Sequence, residues 1–183
     1  MRSFIALDFP LNINNEIQKI QDLIRNQNLF IGKFTESENL HLTFKFLGEV
    51  EEDKINLIKE RLSKIKFNPF EVHFGKVGVF TNSFPKIIWL ELRGKGLSDL
   101  QKNIDEQLKD LFEPETIFMA HLTIARIKRV FDKNKMLDYL NQIKLPKLRF
   151  IVEKFSLKKS ELLESGPVYE DLLEIPCEKL IKI

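Results

Sequence analysis

The chain of 183 residues has little of what metal and thiol chemistry needs. Its single cysteine, Cys177, has no partner within the chain for a disulfide, and three histidines do not make up the usual zinc ligand sets. Lys and Arg total 29 against 27 for Asp and Glu, which argues against a polycationic nucleic-acid tail. The composition therefore excludes cysteine catalysis and most metal sites. We expect no cofactor, and any nucleic acid has to be bound locally.

Long apolar runs are also missing from the sequence. No run approaches the roughly 18 residues that span a bilayer, and residues 1–8 lack the basic and apolar segments of a signal peptide. We therefore expect a cytoplasmic protein that does not associate with a membrane, and no feature predicts a protein partner. No Gly- or Ser-rich linker divides the chain, which predicts one domain over residues 1–183.

What the sequence does contain is an alternation of helix and strand patterns. Apolar residues spaced by three and four predict four amphipathic helices, within residues 11–28, 55–65, 97–111 and 136–143. Runs rich in Phe, Ile, Val and Leu predict strands at about 2–8, 40–47, 70–80, 86–92, 121–127, 148–157 and 167–175. Turn-forming residues at 81–85 and 165–167 join two pairs of these strands as in hairpins.

The order of these elements repeats. After the first strand the order is helix, strand, helix, strand, strand, and it begins again at residue 97. This predicts an internal duplication, with repeats of approximately 1–92 and 93–183. We expect an α+β domain of two pseudosymmetric lobes, in which antiparallel-rich sheets line a central cleft and the helices lie outside. Terminal strands that cross over between the lobes are compatible with this fold.

The second strand of each repeat carries the same tripeptide, His-Leu-Thr, at residues 41–43 and 121–123. Because side chains alternate along a strand, we expect His41, Thr43 and Lys45 on one face and Leu42, Phe44 and Phe46 on the other. The apolar face belongs against the helices. A pseudo-twofold axis would then bring two His/Thr pairs to a common cleft, an arrangement that suits an anion.

Two imidazoles can share one acid/base reaction near neutral pH. A neutral imidazole takes a proton from water, and a charged one protonates a departing oxygen on the opposite side of a phosphorus centre, as in-line displacement requires. The hydroxyls of Thr43 and Thr123 can donate hydrogen bonds to non-bridging phosphate oxygens. This chemistry needs no metal ion, and the residues alone do not say which histidine is the acid.

The sequence resembles the 2H phosphoesterase superfamily, and within it the RNA 2',3'-cyclic phosphodiesterases, also called 2'-5' RNA ligases. The resemblance rests on the paired His-x-Thr motifs and extends over nearly the whole chain. It includes the start Arg-Ser-Phe-Ile-Ala-Leu-Asp at 2–8, the string around the first motif at 38–50, Val-Gly-Val-Phe at 77–80 and a Ser, a Gly and a Tyr between 160 and 169.

This resemblance implies metal-independent hydrolysis of RNA 2',3'-cyclic phosphate ends to 2'-phosphates. Carried over by motif position, His41 is the proton donor and His121 the proton acceptor, while Thr43 and Thr123 hold the phosphate. The implied partners are RNA ends or nucleotide 2',3'-cyclic phosphates. They include tRNA halves, because family members are associated with joining these through a 2'-5' bond in the reverse reaction.

Three further residues are candidate substrate contacts, each with a structural alternative. Lys45 assists phosphate binding or is a solvated lysine at a strand end. Arg126 matches a family arginine, but it has the wrong parity for the cleft unless the strand twists or bulges. Phe34, where relatives often have Trp, stacks on a base or packs beneath its loop. The second motif also departs from the family in having Ala120 where Pro is frequent.

Other features and functions stay open. Lys154, Lys158 and Lys159 steer RNA or form a solvated face, and His73 is expected at an exposed strand position. The alternatives to the cyclic phosphodiesterase are 2'-5' ligation of tRNA halves, or hydrolysis of 2'-5' linked or small cyclic nucleotides at the same site. A further alternative is a non-catalytic module that binds RNA ends or nucleotides.

Overall fold

The computed structural model describes residues 1–81, 83–164 and 166–178, and within them it contains nine strands and four α-helices. The strands are β1 Arg2–Asp8, β2 Phe30–Phe34, β3 His41–Glu49, β4 Phe70–Val79, β5 Ile87–Arg93, β6 His121–Val130, β7 Arg149–Val152, β8 Lys154–Leu163 and β9 Gly166–Pro176. The helices are α1 Leu11–Arg25, α2 Glu52–Leu62, α3 Lys95–Leu108 and α4 Lys133–Gln142. One turn of 3₁₀ helix, Ser37–Asn39, leads into β3.

The strands form one antiparallel sheet in the order β7-β4-β5-β6-β3-β1-β8-β9, with β2 paired to β6 outside this path. Its two halves, β3-β1-β8-β9 and β6-β5-β4-β7, meet where Leu42 of β3 pairs with Leu122 of β6. The predicted α+β fold with antiparallel-rich sheets is confirmed. The two predicted sheets are continuous with each other through this central pair.

The helices pack against the sheet through the apolar residues that predicted them. α1 contacts β6, α3 contacts β3 and β4, α4 contacts β4, and α2 packs against α3. On α1 the residues spaced by three and four are buried: Ile13, Ile17, Ile20 and Ile24. No α-helix in the described ranges is both long enough and apolar enough to cross a lipid bilayer.

The predicted strand at 148–157 is wrong as a single element, because the chain changes partners within it. β7 pairs with β4 in one half of the sheet, whereas β8 pairs with β1 in the other. The break falls at Glu153, whose carbonyl accepts a hydrogen bond of 2.6 Å from the Cys177 backbone N–H. The C-terminal strand β8 therefore lies beside β1, with β9 on its other side, so the halves of the sheet do not coincide with the halves of the sequence. The duplication at 1–92 and 93–183 stays a prediction.

The β4–β5 and β8–β9 pairs are antiparallel, as expected for strands joined by hairpin loops, while Asn82 and Ser165 within those loops lie outside the described residues.

β2 was not predicted, because only its first and last residues are partly buried and the three between them are exposed. Without a buried alternating face, a short strand has no clear pattern in the sequence.

Candidate active site

The two His-Leu-Thr segments lie side by side at the centre of the sheet. Leu42 and Leu122 are direct partners in an antiparallel register and are 0% and 1% exposed. In this register the neighbours of the leucine pair are His41 beside Thr123 and Thr43 beside His121. Because the leucines point into the core, the four polar side chains lie on the opposite face of the sheet. Each histidine therefore stands next to the threonine of the other motif.

Both histidines are oriented by the same hydrogen bond. His41 Nδ1 lies 2.7 Å from the Asn39 carbonyl oxygen, and His121 Nδ1 lies 2.7 Å from the Met119 carbonyl oxygen. A carbonyl only accepts hydrogen bonds, so each Nδ1 carries a proton and donates it. In the neutral ring Nε2 then holds the lone pair and is the atom able to take up a proton. The backbone thus presets both rings for proton transfer at Nε2.

Aromatic rings pack around each histidine. The Tyr169 ring stands edge-on to the His41 ring at a centroid distance of 5.2 Å, and the Phe4 ring lies 5.0 Å away. The Phe80 ring is edge-on to His121 at 4.8 Å. These contacts restrict the rotation of both imidazoles and exclude water from one side of each ring.

Burial lowers the pKa of both histidines below the usual 6.5. For His41 the bond to the Asn39 carbonyl and the charge of Asp8 oppose this effect, while Lys158 and Arg126 add to it. For His121 the bond to the Met119 carbonyl opposes it. Asp8 is the register partner of His41 across the β1–β3 pair. A negative charge beside His41 stabilises its protonated form.

Each motif strand contains a β-bulge directly after its threonine. Thr43 and Lys45 pair with two consecutive residues of β1, so β3 contains one extra residue at this point. In the same way, Thr123 and Ala125 pair with two consecutive residues of β5. As a result two successive side chains in each strand are buried: Phe44 and Lys45 in β3, Ile124 and Ala125 in β6. The side chain three residues after each threonine then returns to the histidine face.

The bulge decides where Arg126 lies. Its register partner in β5 is Ile87, two residues from Trp89, which is the partner of Thr123. Arg126 is therefore on the face of Thr123, as the sequence allowed if the strand bulged. Burial raises the pKa of Tyr169, and the charge of Arg126 opposes that rise. In β3 the equivalent exposed residue is Phe46, which the simple alternation had placed on the apolar face.

The predicted placement of Lys45 on the histidine face is wrong. Its side chain is 2% exposed, and its Nζ donates to Asp105 Oδ1 at 2.7 Å and to the Glu113 carbonyl at 2.6 Å. Asp105 lies on α3, so Lys45 points to the helix side of the sheet. The bulge after Thr43 reverses the parity on which the prediction depended.

Phe34 is also placed away from the histidines. It pairs with Ala125 in the β2–β6 register, and Ala125 is 0% exposed, so both face the core side. The Phe34 ring packs 5.6 Å from the Phe30 ring, and the Arg25 guanidinium lies 4.4 Å above it. The prediction that Phe34 stacks on a base is therefore replaced by its alternative, packing beneath the loop.

The lysines of β8 are neutralised by carboxylates. Lys158 Nζ is 2.7 Å from Asp8 Oδ2 and 2.6 Å from Asp171 Oδ1. Although its burial opposes the effect, these two ion pairs raise the pKa of Lys158. Lys154 pairs with Glu174, and Lys159 with Glu161 and Glu170. This arrangement favours a charge-balanced face over RNA steering by these lysines, and Lys158 is buried in it rather than solvated.

Several residues around the histidines are not marked by any pattern in the sequence. Asp8, Phe80 and Tyr169 lie in segments that carry the family resemblance, but only the strand pairing and the packing bring them to the two rings. Glu91, the register partner of His121, accepts hydrogen bonds from Arg93 at 2.9 and 3.1 Å. His73 is exposed on β4, between Arg93 and Arg149 in the neighbouring strands.

The antiparallel sheet and the two facing His-x-Thr strands define a phosphoesterase with paired histidines. The family model described as LigT-like phosphoesterase matches twice along the chain, over residues 7–89 and 91–169. The chain belongs to the LigT-like phosphoesterase family. The resemblance to the 2H phosphoesterases is thereby confirmed.

Known relatives support the same assignment along almost the whole chain. It is 37% identical over 178 residues to a Methanocaldococcus jannaschii protein named RNA 2',3'-cyclic phosphodiesterase, covering 95% of this chain and 99% of that one. An Archaeoglobus fulgidus protein of the same name is 38% identical over 178 residues, covering 94% and 98%. The crystal structure of Escherichia coli LigT complexed with 3'-AMP has the same fold, with a TM-score of 0.73 at 23% identity and coverage of 97% and 98%.

Proposed function

We propose that this protein hydrolyses RNA 2',3'-cyclic phosphate ends to 2'-phosphates without a metal ion. The observation that carries the proposal is the antiparallel pairing of the two His-Leu-Thr segments at Leu42 and Leu122. With two similarly oriented imidazoles and two hydroxyls on the face of the sheet opposite the leucines, this pairing supports the use of both motifs on one phosphate. The names of the two archaeal relatives, RNA 2',3'-cyclic phosphodiesterase, support this substrate.

In the proposed reaction His121 Nε2 takes a proton from a water molecule, whose oxygen attacks the phosphorus. The bond from phosphorus to the 3'-oxygen breaks on the opposite side, and protonated His41 gives its Nε2 proton to that oxygen. The product carries a 2'-phosphate and a 3'-hydroxyl. Proton exchange with solvent then returns His41 to its charged form and His121 to its neutral form.

The remaining polar groups act on the phosphate oxygens. The hydroxyls of Thr43 and Thr123 donate hydrogen bonds to the non-bridging oxygens as charge develops there. Arg126, on the same face as Thr123, supplies a positive charge beside them. Lys45 and Phe34 have no part in the proposal, because both face the core side of the sheet.

The neighbouring charges support the roles of the two histidines. Asp8 lies opposite His41 and favours its protonated form, as a proton donor requires. The corresponding carboxylate opposite His121 is Glu91, which is already bonded to Arg93. Asp8 is likewise paired, with Lys158 Nζ at 2.7 Å, but its charge acts on the pKa of His41 more strongly than that of Lys158, whereas the pKa of His121 responds only to burial and to the Met119 carbonyl. This supports His41 as the proton donor, and His121 is then the base.

The decisive experiment is phosphorus NMR of the products from a 2',3'-cyclic mononucleotide and from a short RNA with the same end, in the presence of EDTA. We expect a 2'-phosphate from both. A 3'-phosphate product contradicts departure of the 3'-oxygen, and complete loss of turnover on chelation that a divalent ion restores contradicts the metal-free mechanism. Formation of a 2'-5' bond between tRNA halves, without net hydrolysis, would assign the reverse reaction instead.

Histidine variants separate an enzyme from a binding module. His41→Ala and His121→Ala should each lower kcat by about 10²–10⁴-fold, while binding of a 2'-nucleotide product is largely retained. His73→Ala is the matched control, because His73 is exposed on β4 away from the two motifs. A wild-type protein that binds nucleotide without any turnover would support the non-catalytic alternative.

A further inference from the structure

The outer part of β6 carries a strip of cations. Arg126, Lys128 and Arg129 are all exposed, and within the described ranges none of them is ion-paired. This differs from the β8 lysines, each of which is neutralised by a carboxylate. It also differs from Lys33 of β2, which lies 2.6 Å from Glu36. Positive charge that meets no carboxylate is available to an external anion.

A second bulge in β6 sets the direction of this strip. In the β2–β6 register Ile127 pairs with Gly32 and Arg129 pairs with Ile31, so Lys128 is the extra residue. Ile127 and Val130 both pack against the hydrophobic core. The two side chains between them, Lys128 and Arg129, therefore point away from the core, to the face that carries Arg126. The bulge places two adjacent cations on one face, where regular alternation would place one.

The strip begins at the active site and leads away from it. At about 3.3 Å per residue, the strand extends roughly 20 Å from Thr123 to Arg129. An RNA with a cyclic phosphate at its 3' end continues from the terminal nucleotide in one direction only, as a flexible polyanion. The cationic face of β6 offers that polyanion a continuous path of a few nucleotides, with Arg126 nearest the reacting phosphate.

We propose that Lys128 and Arg129 bind the phosphate backbone of the RNA strand that precedes the cyclic end, so that the enzyme acts on RNA ends in preference to free cyclic nucleotides. The inference rests on the proposed function, because it takes the histidine cleft as the place of the terminal nucleotide. Backbone contacts of this kind carry no base sequence information, so recognition beyond the terminal nucleotide is independent of sequence.

The test compares two substrates with two double variants. In K128Q/R129Q we expect kcat/KM for a short RNA with a 2',3'-cyclic end to fall about tenfold. Turnover of 2',3'-cyclic AMP should stay unchanged. The slope of log Kd for the RNA against log salt should become shallower by about 1.4, since each contact to a single strand contributes about 0.7. The matched control K144Q/K147Q removes two exposed lysines from the segment after α4 and should change none of these values.

Several results would overturn the backbone-binding site, and one would overturn the proposed function. Equal losses on RNA and on 2',3'-cyclic AMP, or a slope unchanged from wild type, overturn the backbone site. The same loss in the control variant, or binding of polyglutamate as tightly as RNA of equal charge, also overturns it. If the wild type turns over neither substrate, the proposed function fails, but fluorescence anisotropy with the same RNA still decides whether Lys128 and Arg129 bind it.

Discussion

Leu42 and Leu122 are direct register partners, and through this pair the two halves of the sheet are joined. Each leucine lies between the histidine and the threonine of its own motif. A loss of packing at this pair therefore changes the relative position of the two imidazoles, in addition to creating a cavity. Misplacement of reacting groups by about 1 Å is enough to lower a rate by about a hundredfold.

We predict that Leu122→Ala lowers stability by ~2–5 kcal/mol and also lowers kcat by at least about tenfold. The control is Leu62→Ala on α2, a leucine that is equally buried but distant from the motifs. It should cost a similar free energy of unfolding with kcat unchanged, when both variants are assayed well below their Tm. Urea denaturation and steady-state kinetics measure the two effects, and equal kcat values in the two variants would contradict the role of the central pair.

A second prediction concerns Asp8. Its charge favours the protonated form of His41, which burial disfavours, so Asp8→Asn should lower the pKa of His41 further. If His41 is the proton donor, the alkaline limb of the pH profile of kcat/KM moves to lower pH. A shift of the acidic limb instead would make His41 the base. The pH–rate profile and an NMR titration of the imidazole measure both.

Asp171→Asn is the matched control for Asp8→Asn. Lys158 is bound by both carboxylates, at 2.7 Å and 2.6 Å, so each variant leaves it with one partner. Asp8 alone is the register partner of His41. We therefore expect a smaller shift of the alkaline limb in Asp171→Asn, and equal shifts in both variants would show that Asp8 acts through Lys158.

The sequence was sufficient for the fold class and for the two motifs, because apolar spacing and the repeated His-Leu-Thr are local patterns. It was not sufficient for Lys45 and Phe46, since a single bulge in β3 exchanges their faces. A bulge depends on how two strands pair, so the alternation of side chains along one strand does not predict it. The same bulge in β6 brings Arg126 to the face of Thr123.

The residues that surround the histidines could not be predicted from the sequence for a related reason. Asp8 and Tyr169 are distant in sequence from His41 and approach it through strand pairing and ring packing. The split between β7 and β8 has a similar origin, because one continuous apolar run, 148–157, serves two separate partners. Such long-range strand pairing depends on the whole sheet and not on any one segment.

The pH dependence of stability provides a third prediction. Burial lowers the pKa of His41 and His121 in the folded protein below 6.5, so between the folded and unfolded pKa values the unfolded chain binds more protons. Stability therefore rises with pH through this window and falls as pH drops below about 6.5. The urea midpoint should decrease on acidification, and less so in His41→Gln. A pH dependence of the urea midpoint that is the same in His41→Gln as in wild type would contradict this link.

The last prediction tests the reassignment of Lys45 from the cleft to the core. Lys45→Met removes the cation that Asp105 faces across 2.7 Å and leaves a largely buried carboxylate with hydrogen bonds from Gln101 and the Glu115 backbone. Loss of one partner from a buried ion pair costs about 3–5 kcal/mol, and the remaining bonds to Asp105 should hold the loss near the lower value. KM for a 2',3'-cyclic nucleotide should not change. Lys64→Met, which breaks an exposed pair with Glu60, should leave the stability almost unchanged. A large rise in KM for Lys45→Met at unchanged stability would contradict the core position of Lys45 and would indicate that it binds the phosphate.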